Sequence, residues 1–375
     1  MATVPVVIDQ LKQETGTGAI GCAVHAQVDE VATKLTREQK RYLEITLRDC
    51  TATFPLRVWN DHPSFAFCSG LRSGNFVEVE GDFSTSPNFG LEARNWKIRF
   101  LTTEEKADLL AGPPDVRERQ NTDYAAIESF AGSINDPRLR ELSLLFLREY
   151  GERLRRSAGA RNYHHARRGG LVEHTAQMMR AGNAIAAVYP ALNRDLLLAG
   201  ILFHDSGKLW ENCFPKESFI MPHDFRAELI GHVSMGIELT NRLWQRLKES
   251  PEFASWNMLV PDSDLVRLHL IHLIVAHHGE KQFGSPVEPK TPEAMALHLI
   301  DNLDAKLEMM STAYQFGKRL GRDVIERVRP LPTSVVTPLP ALAEPMATAE
   351  IRSSGVAGVQ QLQNETAEIR SVDGD

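Results

Sequence analysis

The stretch LLLAGILFHDSGK (196–208) decides how this chain is read. An apolar run long enough for a buried helix closes on His204-Asp205, and Ser206-Gly207-Lys208 follows at once. Imidazole and carboxylate are costly to bury unless something satisfies them, and divalent cations satisfy several at once. Working outward, His174, His232, His277, His278 and Asp301 also lie inside otherwise apolar, helix-patterned segments. A lone histidine in such a place is more often a hydrogen-bonded core residue. Seven ligand-type side chains recurring in four apolar segments point instead to a metal site.

Four segments carry a resemblance: YHHARRGGLVEHT (163–175), LLLAGILFHDSGK (196–208), LIGHVSMG (229–236), and VAHHGEKQFGSP with EAMALHLIDNLDAK (275–306). With them the chain resembles the HD-domain metal-dependent phosphohydrolases, and among these the YhaM-type 3'-5' exoribonucleases, which join an OB-fold to an HD domain. The likeness implies that His174, His204, Asp205 and Asp301 form a first metal site. Asp205 would bridge to a second, completed by His232 with one or both of His277 and His278. It further implies two divalent ions, manganese first, although imidazole and carboxylate ligands equally accept iron, cobalt, nickel or zinc. Such cations depress the pKa of water and neutralise charge on phosphoryl oxygens. Asp205 and Lys208 are the expected catalytic residues, Lys208 adding positive charge toward the phosphate. His298 and Asp304, three residues either side of Asp301, share its helical face and are expected to orient ligands. His269 and His272 fall outside the motif and are expected to be structural.

Between Lys208 and His232 the segment LWENCFPKESFIMPHDFRAELIG departs from the family pattern, which puts substrate selection in question rather than metal binding. His223-Asp224 inside it is a second His-Asp pair without the apolar helix before it or the Gly-Lys after it, and is expected to be a decoy. Gly279, Gly284 and Pro286 suggest a sharply turning loop beside the site.

At 375 residues the chain is expected to hold two folded units and a tail. The segments 19–28, 41–49, 53–60, 75–83 and 91–100 alternate apolar with polar residues and are parted by turn formers. Five short strands suit a small OB-like β-barrel over 1–102. Single strands bind OB-folds by stacking bases on aromatics beside basic groups. Candidate platforms are Phe54, Trp59, Phe89 and Trp96, with Arg57, Arg94 and Lys97 for phosphates. The competing explanation is that the aromatics pack the barrel core, and acidic residues outnumber basic ones here. Residues 103–122, with Gly112-Pro113-Pro114 at their centre, are expected to be a linker. An all-α HD domain over 123–328 then follows from the three-and-four spacing of YAAIESFAGSI and PRLRELSLLFLREYGERLRR. Beyond Arg329 the run PLPTSVVTPLPALAEP lacks periodicity, so 329–375 is expected to be a disordered tail.

Between Arg138 and Arg168 lie nine arginines. They are either a solvated face or a lane leading a polyanion to the metals, with His164, His165, Arg167 and Arg168 touching substrate. A net charge of −7 confines any nucleic-acid surface to a local patch. Cys22, Cys50, Cys68 and Cys213 form no C-x-x-C pair, which argues against a disulfide framework or a thiolate zinc site. No run reaches the roughly 20 apolar residues of a membrane span, and MATVPVVIDQL lacks a secretory start, so a cytoplasmic protein with no membrane partner is expected. The expected activity is metal-dependent 3'-5' exonucleolytic hydrolysis of single-stranded RNA to nucleoside 5'-monophosphates, with single-stranded DNA as a second substrate. The alternatives are an HD phosphohydrolase acting on a small nucleotide or cyclic dinucleotide, and a non-catalytic RNA-binding adaptor. Homo-oligomerisation is left open.

Overall fold

A computed structural model describes residues 5–15, 18–36, 38–86, 90–162 and 164–339. Phe89 and residues 340–375 of the expected tail lie outside the described residues. The chain divides into two units, 1–311 and 312–375.

The first unit begins with α1 (Ile8–Glu14), β1 (Ile20–Leu35), β2 (Arg41–Arg48), β3 (Thr53–Trp59), α2 (Phe65–Ser69), β4 (Phe76–Ser86) and β5 (Gly90–Phe100). The five strands form one antiparallel sheet in the order β3-β2-β1-β4-β5. Alternate residues such as Leu43, Ile45 and Leu47 of β2 and Leu56 and Val58 of β3 are buried, as the period-2 pattern requires. No ladder joins β3 to β5, so the expected barrel is barrel-like but not closed. Phe54 (1% exposed) and Trp96 (6% exposed) lie in its core. Trp96 stacks on His62 with ring centroids 3.9 Å apart. The expectation that these two act as base platforms is therefore corrected, because their faces are spent on packing.

The expected linker is helical: α3 (Thr103–Ala111) and α4 (Pro114–Gly132) fill it. Thr102 accepts from the Glu105 backbone and Glu105 reaches back to the Thr102 N–H, a capping box. Gly112 ends α3 at φ 76°, a conformation glycine reaches without Cβ strain. Pro114 starts α4, where its missing N–H costs nothing.

There follow α5 (Pro137–Leu154), α6 (Gly170–Val188), α7 (Arg194–Phe203), α8 (Lys208–Glu211), α9 (Phe225–Lys248), α10 (Ser263–Ala276) and α11 (Pro292–Phe316). They enclose a core around Phe146, Phe203, Leu243, Trp244 and Leu273. The sheet is fastened to this helical part by Gln27 of β1, 2% exposed, whose side chain bonds Ser218 Oγ and accepts from Phe219 N at 2.7 Å. No helix among the described residues is long and apolar enough to cross a membrane. In the second unit the short strands β6 (Val324–Ile325) and β7 (Val335–Val336) pair antiparallel, β7 falling inside the segment expected as tail.

Candidate metal centre

The expected ligands come from α6, the C-terminal ends of α7 and α10, the break in α9 and the interior of α11. His204 caps the C-terminus of α7 and His277 that of α10. Carbonyls in the last turn of a helix lack partners, and each ring supplies one: Nδ1 of His204 donates to Ile201 O and Nδ1 of His277 to Ile274 O, both at 2.7 Å. A carbonyl only accepts, so the proton is on Nδ1 and Nε2 presents its lone pair. His174 Nδ1 is held at 2.7 Å by Asp304 Oδ2, and His232 Nδ1 lies 2.8 Å from Glu211 Oε2. Four Nε2 atoms are thus aimed by partners on the far side of their rings, the arrangement ligating histidines show.

His232 reaches the centre because α9 breaks at Gly231, whose φ of 69° and ψ of 163° interrupt the helix. Its backbone then lies against Gly207. A Cβ on Gly207 would stand 1.9 Å from His232 O, so only glycine allows the approach.

Around the first focus, His174 Nε2 lies 3.3 Å from His204 Nε2, 3.4 Å from Asp301 Oδ1 and 3.7 Å from Asp205 Oδ2. His204 Nε2 lies 3.3 Å from Asp205 Oδ2. Metal–ligand bonds of about 2.0–2.2 Å place neighbouring ligand atoms roughly 3.0–3.5 Å apart, so this spacing fits one cation. The other oxygen, Asp205 Oδ1, lies 3.7 Å from both His232 Nε2 and His277 Nε2. His232, His277 and His278 form a second group with ligand atoms within 4.8 Å of one another. Asp205 Oδ1, His232 Nε2, His277 Nε2 and His278 Nδ1 are buried without hydrogen-bond partners. Unpaired buried polar atoms are expensive, and a bound divalent cation is a group that would satisfy them.

Lys208 Nζ lies 2.6 Å from Asp205 Oδ2. Burial works against the lysine's charge, but Asp205 and Asp301 outweigh it and raise its pKa. Burial likewise opposes ionisation of Asp205, and Lys208 and His204 overcome it, holding the carboxyl well below its usual range.

Of the residues expected to orient ligands, Asp304 does so directly, and His298 Nδ1 donates to the His277 carbonyl at 2.9 Å. Glu211 was not among the expected residues. Its only signal is a helical step from Lys208 inside the segment that departs from the family pattern. His165, expected on the substrate, is fully buried and meets Asp304 Oδ2 at 2.9 Å, which places it behind His174. His164 stays at the centre, its ring 5.9 Å from that of His174. Burial first, then Lys208, lowers its pKa to about 4. His272 accepts from Lys290 N at 3.0 Å, a structural role. His223 pairs with exposed Glu228, and Asp224 caps α9, far from ligand duty. Gly279 and Gly284 turn at φ 78° and 88° beside the centre.

The arginine lane is corrected. Arg138 is buried against Asp136 and the Pro261 carbonyl. Arg153 donates to Leu209 O, Arg156 to Phe214 O, and Arg161 to Glu211 O and Pro222 O. Arg167 pairs with Glu173 and Glu308. Arg153, Arg156 and Arg161 thus hold the 209–222 segment in place, and Arg138 and Arg167 are taken up by other partners, rather than all forming one open track. On the barrel, Arg57, Trp59 and Arg94 line one cavity of about 180 Å³ with Pro55, Glu92 and Ala93. Trp59 is 45% exposed, with its ring 4.9 Å from Tyr42. Lys97 is exposed on β5.

Residues 171–306 match the HD domain family. Over 287 residues the chain is 29% identical to the 3'-5' exoribonuclease YhaM of Shouchella clausii, spanning 76% of this chain and 84% of that one. It is 28% identical over 292 residues to the YhaM of Bacillus licheniformis (78% and 83% covered) and 26% over 294 residues to that of a Geobacillus species (78% and 84%). A solved structure of RecG bound to a three-way DNA junction matches at a TM-score of 0.22 and 14% identity, covering 50% of this chain and 26% of that one, too slight a likeness to bear on fold or function. The HD domain and the resemblance to the YhaM-type exoribonucleases are both borne out.

Proposed function

We propose, from the premise that this chain carries an HD domain and is kin to the YhaM exoribonucleases, that it is a metal-dependent 3'-5' exoribonuclease releasing nucleoside 5'-monophosphates from single-stranded RNA. The observation that carries the proposal is the convergence of His174, His204, Asp205, His232, His277, His278 and Asp301, with ligand atoms of Asp205, His232, His277 and His278 buried without a hydrogen-bond partner. The first four-residue site would be His174, His204, Asp205 and Asp301, and Asp205 would bridge to His232, His277 and His278. Two divalent cations, Mn²⁺ ahead of Fe, Co, Ni or Zn, suit this nitrogen–oxygen set. When bound they would supply a water of lowered pKa and neutralise phosphoryl charge.

The chain's own residues do the rest. Asp304 and Glu211 fix the tautomers of His174 and His232. Lys208, kept protonated by Asp205, offers a positive charge to the scissile phosphate. His164, neutral at pH 7, offers a hydrogen bond at the entrance rather than a charge. Trp59, Arg57 and Arg94 give the barrel a modest grip on a strand, one base stacked and its phosphate near a guanidinium.

The test is digestion of end-labelled RNA of graded length with Mn²⁺. A ladder shortening from the 3' end, with turnover falling steeply for a dinucleotide, supports the proposal. Turnover indifferent to length assigns the centre to a small nucleotide, a possibility favoured by the burial of Phe54 and Trp96, which leaves few base platforms. Single-stranded DNA in the same assay decides the sugar preference.

A further inference from the structure

Arg168, like Arg153, Arg156 and Arg161, donates to backbone carbonyls and has no carboxylate partner among the described residues; what sets it apart is the cavity it lines. Its Nη1 donates to Pro215 O at 2.7 Å and Ser218 O at 3.4 Å, and its Nη2 to Lys216 O at 3.1 Å. Arg156 behind it meets only the carbonyls of Glu152 and Phe214. Among the described residues neither guanidinium has a carboxylate partner. Burial and the like charge of Arg156 both press on Arg168, lowering its pKa.

Beside Arg168 is a cavity of about 200 Å³ where the β2–β3 turn meets the helical part, lined among others by Arg48, Asp49, Thr51, Thr53 and Phe219. Arg48 is paired with Asp29. The one carboxylate on the wall, Asp49, is turned inward: Oδ2 accepts from Ile8 N, and Oδ1 from Thr51 N, Thr51 Oγ1 and Ala52 N. The Thr53 hydroxyl, a guanidinium without a carboxylate and a wall fixed by Gln27 make this junction a receptor for a tetrahedral oxyanion. It lies between the sheet and residues 166–168, which lead into His165 and, through Asp304, to His174.

We propose that this junction cavity binds a phosphate group through Arg168, with Thr53 on its wall. Its occupant of choice is one backbone phosphate of a strand held by the sheet and entering the metal centre. That choice of occupant rests on the exoribonuclease proposal, whereas binding of phosphate itself does not.

The decisive variant is Thr53→Glu, which sets a carboxylate against Arg168 without removing any structural arginine; Thr53→Gln is its neutral control of equal size. Two readouts are needed on the full chain loaded with Mn²⁺. In the first, inorganic phosphate is titrated while thermal melting is followed. Wild type and Thr53→Gln should gain more melting temperature than Thr53→Glu, whose remaining gain reads phosphate at the metal centre. In the second, affinity for a labelled single-stranded RNA 20-mer should fall about tenfold in Thr53→Glu, the loss of one charge-assisted contact. Its log K against log salt slope should flatten by about 0.7, one phosphate on a single strand, with turnover of a dinucleotide unchanged. Equal phosphate response in all three proteins, together with unaltered 20-mer affinity, overturns the site. A phosphate response reduced in Thr53→Glu with 20-mer affinity intact assigns it to a free phosphate or mononucleotide. If no RNA is cleaved by any of the proteins the exoribonuclease proposal fails, and the phosphate titration still reads the cavity.

Discussion

Replacing Asp304 with Asn probes whether the centre is organised from behind its ligands. One oxygen, Oδ2, accepts from His174 Nδ1 at 2.7 Å and from His165 Nε2 at 2.9 Å. Its pKa falls to about 2: burial opposes the charge, and the bonds from His165 and His174 override it. Asn keeps the shape and one acceptor but loses the charge. A hydrogen bond to a charged group contributes about 1.5–3 kcal/mol against about 0.5–1.5 for a neutral one, so two bonds lose roughly 2–3 kcal/mol between them. Part of that falls on folding and part on the aim of His174. Loss of such a supporting partner lowers metal affinity by about 10–100-fold. Calorimetric titration of Mn²⁺ into metal-free protein reads the affinity, and RNA turnover across the same titration reads the consequence. Asp304 does not touch substrate, so saturating metal should restore most of kcat with KM for RNA unmoved. His165→Gln should weaken metal binding less, and the double variant should fall short of the sum, because both act through one oxygen. Metal affinity within twofold of wild type in Asp304→Asn would refute the idea that His174 is held for a cation.

Asp205→Ala should abolish turnover while leaving most RNA binding, measured by fluorescence anisotropy; undiminished turnover would remove Asp205 from catalysis. Gly207→Ala drives a Cβ into the His232 carbonyl, so the metal stoichiometry found by elemental analysis should drop as the second group of ligands loses His232. Chelation should lower the thermal midpoint, since a cation at about 100 times its Kd adds about 2.7 kcal/mol; an unmoved midpoint would mean that the buried ligand atoms need no ion. Glu173 supplies a pH test. Burial would raise its pKa, but His165 and Arg167 bring it down to about 2 from 4.5. A depressed folded pKa stabilises above the unfolded value and is lost as pH falls from 4.5 toward 2. Glu173→Gln should therefore be less stable at neutral pH and show a flatter acid limb in denaturant melts.

The strands and the clustering of the candidate ligands were legible because both rest on short-range rules. Alternation in Leu43, Ile45 and Leu47 needs only one sheet face to be buried, and His204-Asp205 at the end of an apolar helix needs only that buried ligand groups be satisfied. Residues 103–122 were expected to be a linker because Gly112-Pro113-Pro114 breaks a helix. It does so between two helices, the first of which starts at the capping box Thr102–Glu105. Glu211 and His165 show where local reading stops. Glu211 meets the His232 ring across 21 positions of sequence and His165 meets Asp304 across 139, and nothing near a carboxylate in the chain says which imidazole it will face.

The arginines are the sharper case. Arg167 and Arg168 are neighbours with the same side chain, yet Arg167 meets two carboxylates, on Glu173 and Glu308, and Arg168 meets three carbonyls. A carboxylate cancels a guanidinium's charge, whereas a carbonyl accepts its hydrogen bond and leaves the charge uncancelled. Bond counting therefore makes both look satisfied, and charge counting separates them. The same distinction divides the histidines: His204 and His277 are aimed by carbonyls, and His174 and His232 by carboxylates, which make their rings stronger donors to a cation. Each of the two groups of ligands thus holds at least one histidine of each kind. Ligand strength in the two halves of the centre should consequently respond to Asp304→Asn and to a Glu211→Gln change separately, the first variant loosening the ion nearest His174 and the second the ion nearest His232. A stoichiometric titration that showed both ions weakening equally in either variant would argue that the bridging carboxylate of Asp205 couples them more strongly than their own supports keep them apart.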